Sequence, residues 1–268
     1  MNRLASYMEI ESNLASCEKN NAISIALFPV GCTEQHGPYL PIQTDTIVAK
    51  EIADSVCDDL PGKYYGHVFP ALSYSPTKSN LWYPGTISIR EDTFRSVVRD
   101  IAESMVQSGF RVVLFLSGHG PAHPSLVEVC FNEMHQQYSA LPKPNTLLLA
   151  YSLADMRYLL EERVGQPCGK HADWCELLLL YHCLGEAYFT GLKMDQLSKF
   201  QRDNDFSMPR STILGMPVSM KSVQGTIGEP LPFNRKDIKT LADDSWKATV
   251  DHICLRLATD IEQVGLLP

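Results

Sequence analysis

The sequence contains no apolar run near the ~20 residues that a membrane span requires, so no membrane partner is expected. It has no internal repeat and no low-complexity stretch, which excludes solenoids and disordered arrays. Residues 1–21 carry Glu9, Glu11 and Glu18 without an apolar core segment, so they do not read as a secretory signal. Positive charge is scarce: Lys and Arg number 23 against 31 Asp and Glu, a net charge of −8 with no block of either sign. A nucleic-acid partner needs a basic face, and none is expected here. No Cys-x-x-Cys pair occurs among the eight cysteines, Cys17, Cys32, Cys57, Cys130, Cys168, Cys175, Cys183 and Cys254. In a chain of this length without a signal, these read as reduced, mostly buried thiols of a cytoplasmic protein.

What is present supports one large core. The chain has 268 residues, 44% of them hydrophobic, and a single domain over residues 1–268 is the simplest expectation. Residues 22–30 form an apolar, β-prone run that ends at Gly31. Ile47, Val48, Ile52, Ala53 and Val56 then mark a helical stripe, with Thr44 or Asp45 as its N-cap and Pro61-Gly62 as its stop. A second strand is expected at His67–Leu72, an aromatic-rich loop at 73–86, and a short strand at Thr86–Ile89. Phe94, Val97, Val98, Ile101 and Met105 predict a helix over 91–107, closed by Gly109. A strand at 111–116, a helix at 125–138, a turn at Lys143-Pro144, a strand at 146–151 and a helix at 153–164 follow. A Leu-rich helix is expected at 177–184, irregular chain over 192–232, and a long last helix over 235–264. Alternating strands and helices predict an α/β fold, a mainly parallel sheet covered by helices on both faces. Ligands of such sheets sit at the carboxyl ends of the strands.

Chemistry-bearing residues concentrate there. Glu34 and His36 are two apart, so an extended backbone sends both to one face, and Asp45 follows a turn-rich connection. Hard oxygen plus imidazole on a stiff loop suits a metal; the bland alternative is a surface loop with a capping Asp. Ser117-Gly118-His119-Gly120-Pro121-Ala122-His123 follows the next central strand, and His171-Ala172-Asp173-Trp174-Cys175-Glu176 precedes the Leu-rich helix. Two histidines and three carboxylates drawn from Glu34, His36, Asp45, His119, His123, His171, Asp173 and Glu176 suggest a two-metal hydrolytic site. Cys32 lies inside this stretch but reads as structural, since a nearby metal would do the activating. His67, His135, His182 and His252 lie away from the motifs and read as structural or surface histidines.

Gly31-Cys32-Thr33-Glu34-Gln35-His36-Gly37-Pro38-Tyr39-Leu40-Pro41, with Thr44-Asp45-Thr46 after it, resembles the signature of the creatininase (creatinine amidohydrolase) family. Ser117-Gly118-His119-Gly120 resembles its second motif, His171 to Glu176 its third, and Gly225-Thr226-Ile227-Gly228-Glu229-Pro230 a late glycine-rich segment. The resemblance implies two divalent metals per subunit, zinc, manganese or iron. It implies Glu34 and His119 as ligands of one, His36 of the other, Asp45 as the bridge, and Glu176 as the carboxylate completing the second. It also implies a creatininase-like fold, a homo-oligomer (commonly a hexamer), and hydrolysis of a cyclic amide or formamide C–N bond of a small molecule by a metal-bound hydroxide. His171 is the expected proton shuttle, with His123 as the alternative; Glu176 shares the catalytic site. Trp82, Tyr83, His123 and Trp174 are expected to contact substrate.

The chain departs from the family pattern at Pro121-Ala122-His123, where members have Gly and then Asn after Gly-His-Gly, and creatininase proper has a Glu two residues past the matching His. It departs again at Leu177-Leu178, where Thr-Ser is usual. These differences point away from creatinine itself. A metal-dependent opening of a keto-cyclitol or lactone ring stays open, as does a catalytically inactive metal-binding member.

Overall fold

The computed structural model describes residues 5–140, 146–190, 222, 224–229, 231 and 237–265, with side chains 135–140 and 190 left aside. The expected turn at Lys143-Pro144 and nearly all of the irregular 192–232 stretch lie outside them. The element order is α1 (Tyr7–Lys19), β1 (Ile23–Val30), α2 (Thr44–Asp59), β2 (Tyr64–Val68), α3 (Glu91–Ser108) and β3 (Val112–Ser117). Then come α4 (His123–Ala140), β4 (Leu147–Ser152), α5 (Arg157–Val164), α6 (Trp174–Thr190) and, as our α7, Ile238–Gln263. Among the described residues no helix is long and apolar enough to cross a membrane.

The sheet is parallel, in the order β2-β1-β3-β4. Its two central strands are buried at every position, as expected of strands covered on both faces. Alternation splits their side chains between two cores. Ile25, Leu27, Val112, Leu114 and Leu116 pack with α2, α5, α6 and α7. Ala26, Phe28, Val30, Val113 and Phe115 pack with α3 and α4. The strand order reverses direction between β1 and β3, so the crevice beyond Val30 and Ser117 is the topological switch point.

Several local expectations are corrected. β2 is Tyr64–Val68 rather than His67–Leu72, because Pro70 cannot donate to a ladder; Phe69 and Leu72 still donate to the Leu27 and Pro29 carbonyls at 2.9 Å. The 86–89 segment contributes only an isolated bridge, Ile87 to Thr33. The 153–164 helix divides into a 3₁₀ turn, Leu153–Met156, and α5. α6 begins at Trp174 and runs past 184, kinking at Gly185, whose φ is +71°. α1 has no counterpart in the expected elements; Ser6 and Glu9 form a capping box at its start. Neither Thr44 nor Asp45 caps α2: Gln43 holds that place without a side-chain bond, and the Thr44 hydroxyl donates to the Pro41 carbonyl at 2.7 Å. Cys168 and Cys175 are joined in a disulfide, against the expectation of eight free thiols, because the turn from 168 into α6 brings their Cα atoms within 6.2 Å.

Two glycines let the central loops touch α2. A Cβ on Gly118 would strike the Asp45 carbonyl and come within 3.2 Å of Ala49 Cβ; one on Gly31 would strike the Thr46 backbone. Gly118→Ala is therefore expected to cost about 1–3 kcal/mol of stability through overpacking. Urea unfolding checks this: the midpoint should fall with an unchanged slope, whereas an unshifted midpoint would mean that α2 gives way freely.

Candidate metal centre

The loop after β1 carries Glu34 and His36, the first turn of α2 carries Asp45, and the loop after β3 carries His119. All four are buried at the switch point. The segment 170–172 reaches the same place by pairing with Ile227: Lys170 N–H donates to the Ile227 carbonyl at 2.7 Å, and Ile227 N–H to the His171 carbonyl at 2.8 Å. This brings in His171 and, from the first turn of α6, Glu176.

Each of the three histidines has one nitrogen against a backbone carbonyl. His36 Nδ1 lies 3.0 Å from the Glu34 carbonyl, His119 Nε2 lies 3.0 Å from that of Pro76, and His171 Nε2 lies 2.7 Å from that of Gln35. A carbonyl only accepts, so these nitrogens carry the protons and donate. The other nitrogens face carboxylates. His36 Nε2 is 3.1 Å from Asp45 Oδ1 and 3.7 Å from Glu176 Oε2. His119 Nδ1 is 3.0 Å from Asp45 Oδ2 and 3.2 Å from Glu34 Oε1. His171 Nδ1 is 3.7 Å from Glu34 Oε1. Asp45 thus stands between two groupings, one with Glu34 and His119 and one with His36 and Glu176.

The carboxylates are held from behind. Thr77 Oγ1 and Asn80 Nδ2 both donate to Glu34 Oε2, the latter at 2.7 Å, which turns Oε1 inward. Asn80 is fixed in turn by Gln35, whose Nε2 donates to Asn80 Oδ1 at 2.7 Å. Arg157 Nη2 donates to Glu176 Oε1 at 2.5 Å, while Glu176 Oε2 accepts from Ala172 N–H at 2.7 Å. Thr77, Asn80 and Arg157 are not picked out by sequence reasoning. Asn80 and Thr77 lie in the 73–86 loop, which its length, its aromatics and its place after a strand mark as a pocket wall without singling out either residue, and Arg157 stands near no motif.

Electrostatically the centre is poised for a cation. Burial alone would lower the His36 pKa, but the Asp45 carboxylate, then Glu176 and Glu34, raise it to about 10. Burial likewise opposes charge on His119, and Glu34 and Asp45 overcome it, holding that ring well above the usual value. Burial disfavours the Glu34 carboxylate, yet His119 brings it down to about 2. His171 goes the other way: burial and the neighbouring His36 lower it, leaving a neutral ring with a free lone pair at Nδ1. Asp45 Oδ2 is buried and makes no hydrogen bond, although His119 Nδ1 lies 3.0 Å away. Imidazole lone pairs and carboxylate oxygens turned toward each other, each backed by an outer hydrogen bond, are the donor set of divalent metals. The residues present therefore fit such ions.

Glu34, Asp45, His119, His171 and Glu176 open on a cavity of 190 Å³ lined also by Ser79, Asn80, Arg157, Lys170 and Ile227, with His36 buried behind them. Among the described residues no Phe, Tyr or Trp lines it. Glu34, His36, Asp45, His119, His171 and Glu176 come together as expected. The expected substrate contacts do not. Trp174 is buried in the core, its indole N–H donating to the Pro167 carbonyl at 3.0 Å, so it cannot stack on a ligand. Trp82 is 73% exposed and does not line the cavity. The Tyr83 hydroxyl donates to the Ser222 carbonyl. His123 lies outside the cavity, with Nε2 3.6 Å from Asp155. Cys32 is a buried thiol near the Ser75 carbonyl, its pKa pushed up to about 11 by burial, consistent with a structural role. Ala172 takes φ +53°, which costs a non-glycine residue about 1 kcal/mol and turns the chain between His171 and α6.

The family model described as "Creatinine amidohydrolase" matches residues 11–253. The mycofactocin precursor peptide peptidase of Mycolicibacterium smegmatis is 33% identical over 107 residues, 39% of this chain and 43% of that protein. The 3-dehydro-scyllo-inosose hydrolase of Thermotoga maritima is 27% identical over 117 residues, 42% of this chain and 33% of that protein. The chain thus matches less than half the length of these curated relatives. A creatininase variant solved in its zinc–zinc form superposes with a TM-score of 0.72 at 17% identity, over 94% of this chain and 96% of that one, a likeness of fold.

The charge of the centre makes stability pH-dependent once metal is removed. His36 titrates near pH 10 in the folded, metal-free protein, against about 6.5 when unfolded. A raised folded pKa adds stability in full below about pH 6.5, and that contribution is lost as pH rises through about 10. Urea unfolding of metal-stripped protein should therefore show stability falling over this window. His36→Gln should flatten the fall; an equal fall in the variant would assign it to other groups.

Proposed function

The chain belongs to the creatininase family, and on that premise we propose that it is a two-metal hydrolase that cleaves an amide C–N bond of a small polar molecule. The observation that carries this reading is the convergence of three inward imidazole nitrogens on two buried carboxylates, Glu34 and Asp45, and the half-buried Glu176, with every outer nitrogen tied to a carbonyl. Glu34 and His119 would hold one divalent ion, His36 and Glu176 the other, and Asp45 would serve both through its two oxygens. When bound, such ions lower the pKa of water toward neutrality and polarise a carbonyl. Zinc or manganese suits this mixed imidazole and carboxylate set.

The chain's own residues then do the positioning and the proton work. Thr77 and Asn80 aim Glu34, and Arg157 aims Glu176, so neither carboxylate turns away when charge moves in the site. His171 is neutral with Nδ1 open to the cavity, which suits it to take a proton from attacking water and return it to the departing nitrogen. The Gln35 carbonyl, accepting from Nε2–H at 2.7 Å, and the Glu34 carboxylate would stabilise the transient imidazolium. The small size of the cavity and the polar side chains among its lining residues favour a compact, hydrogen-bonding substrate.

A second reading has one specific observation in its favour. With no Phe, Tyr or Trp lining the cavity among the described residues, a planar ring finds only the His119 and His171 imidazoles to stack on, whereas a polyol ring would find Ser79, Asn80 and Lys170. Opening of a keto-cyclitol is then the alternative, in line with the similarity to the inosose hydrolase. A panel of lactams, formamides, short peptides and keto-cyclitols, assayed with the zinc- and manganese-loaded protein, separates the two. The premise also carries assembly with copies of itself, for which exposed Ile42, Leu81, Trp82 and Ile87 offer an apolar surface.

Two expectations test the centre. Asp45→Ala should lose both metals and His36→Ala chiefly one, read by elemental analysis; wild-type metal content in Asp45→Ala would remove the bridging role. His171→Ala should keep its metals and its thermal midpoint while turnover on the panel's best substrate drops about 10²–10⁴-fold. Full activity, or a lost metal, would exclude His171 as the proton carrier.

A further inference from the structure

The Cys168–Cys175 disulfide closes a ring around the segment that delivers His171 to the metal centre, and nothing in the proposed reaction uses it. The ring holds Gly169, Lys170, His171, Ala172, Asp173 and Trp174, and Glu176 is the next residue after it. Its two halves do different work. On one side the Gly169 carbonyl accepts from Arg157 Nη1 at 2.7 Å, and the same guanidinium holds Glu176 Oε1 at 2.5 Å. On the other, Asp173 Oδ1 accepts from Cys175 N–H at 3.1 Å and Glu176 N–H at 3.4 Å, capping α6. Between them stands Ala172 at φ +53°, whose N–H donates to Glu176 Oε2 at 2.7 Å.

This is a demanding conformation. Ala172 is left-handed without being glycine, and a Cβ on Gly169 would strike the Ile227 carbonyl. Asp173 Oδ2 is buried without a hydrogen bond, 3.9 Å from Arg157 Nη1. Such a turn persists only where its surroundings over-determine it, and the disulfide is the covalent member of those surroundings. Its two residues differ in exposure: Cys168 is half-buried next to exposed Pro167, whereas Cys175, in the first turn of α6, is buried.

We propose that Cys168 and Cys175 form a redox-modification site whose oxidised state holds His171 and Glu176 in working position and whose reduced state releases them. A dithiol reductant attacks Sγ of Cys168, the more exposed of the two residues. A mixed disulfide forms there, the Cys168–Cys175 bond breaks, and Cys175 leaves as a thiolate and takes up a proton. The second thiol of the reductant attacks the mixed disulfide, freeing Cys168 as a thiolate that is also protonated. The reductant ends as a disulfide, and the protein gains two electrons and two protons. With the ring open, segment 168–172 keeps its backbone link to α6 and its hydrogen bonds but loses the cross-link that fixes its path, and Glu176 Oε2 loses a fixed N–H donor. The metal-holding role of Glu176 rests on the metal-centre reading; the clamp itself does not.

The test compares aerobically purified full-length protein with the same protein reduced by a dithiol and desalted under argon. Peptide mapping should find Cys168 joined to Cys175 in the first sample and free in the second. Amide hydrogen exchange over 168–176 should quicken about tenfold on reduction while β1 and β3 stay unchanged, and reoxidation should restore it. Zinc ion added to each form should bind in lower amount to the reduced one. Cys168→Ser should behave as the reduced protein under all conditions. Free thiols in the aerobic protein, or exchange over 168–176 indifferent to reduction, would overturn the proposal. So would extra zinc in the reduced protein that Cys168→Ser lacks, which would make Cys168, Asp173 and Cys175 a thiolate metal site instead. Zinc uptake by neither form would refute the metal-centre reading, while the exchange comparison would still decide the clamp.

Discussion

Asp45 sits buried in the first turn of α2 with one oxygen 3.1 Å from His36 and the other 3.0 Å from His119. Those histidines come from loops after two different strands, so this carboxylate ties β1, β3 and α2 together at one point. It can do so because Gly118 passes directly over its backbone and because Gln43, rather than Asp45, occupies the cap position. The helix N-terminus adds partial positive charge that favours an ionised Asp at that place. Much else follows from keeping this group charged and buried. Isolated it would be costly, and the histidines it faces are driven toward protonation unless a cation takes their place.

The outer ring of hydrogen bonds is what turns that tension into a site. The Glu34, Pro76 and Gln35 carbonyls each fix the orientation of one imidazole, and Thr77, Asn80 and Arg157 each fix one carboxylate oxygen. Apart from the Glu34 carbonyl, two residues from His36 in the same loop, these partners come from segments remote in sequence, so most of the geometry belongs to the fold and not to any single loop. The centre is also asymmetric. Glu34 is backed by neutral donors, whereas Glu176 leans on a guanidinium and on a strained turn. The half built from His36 and Glu176 is thus the more conditional one, and the disulfide lies beside that half.

Residues were legible along the chain where local pattern and global position agree. The apolar runs at 22–30 and 111–116 could only be strands buried on both faces, since no polar alternation interrupts them, and the carboxyl ends of such strands are where ligands sit. Glu34, His36, Asp45 and His119 stood out for that reason and because their motif is dense. α1 was missed because its apolar stripe is weak and only Cys17 in it is buried. Trp174 and Trp82 misled because an aromatic near a motif suggests a pocket wall, whereas backbone direction sent one into the core and the other to solvent.

The sequence by itself determined the alternation of strands and helices from β1 onward, the residue types gathered at two strand ends, and an acidic balance that speaks against a nucleic-acid partner. These depend on periodicity, composition and short spacing, which are local properties of a chain. Tertiary structure alone decided which nitrogen of His119 and of His171 faces inward, that Thr77, Asn80 and Arg157 hold the carboxylates, that no Phe, Tyr or Trp lines the cavity among the described residues, and that Cys168 meets Cys175. Each of these is a matter of distance and direction between segments brought together by packing, and no spacing along the chain encodes it.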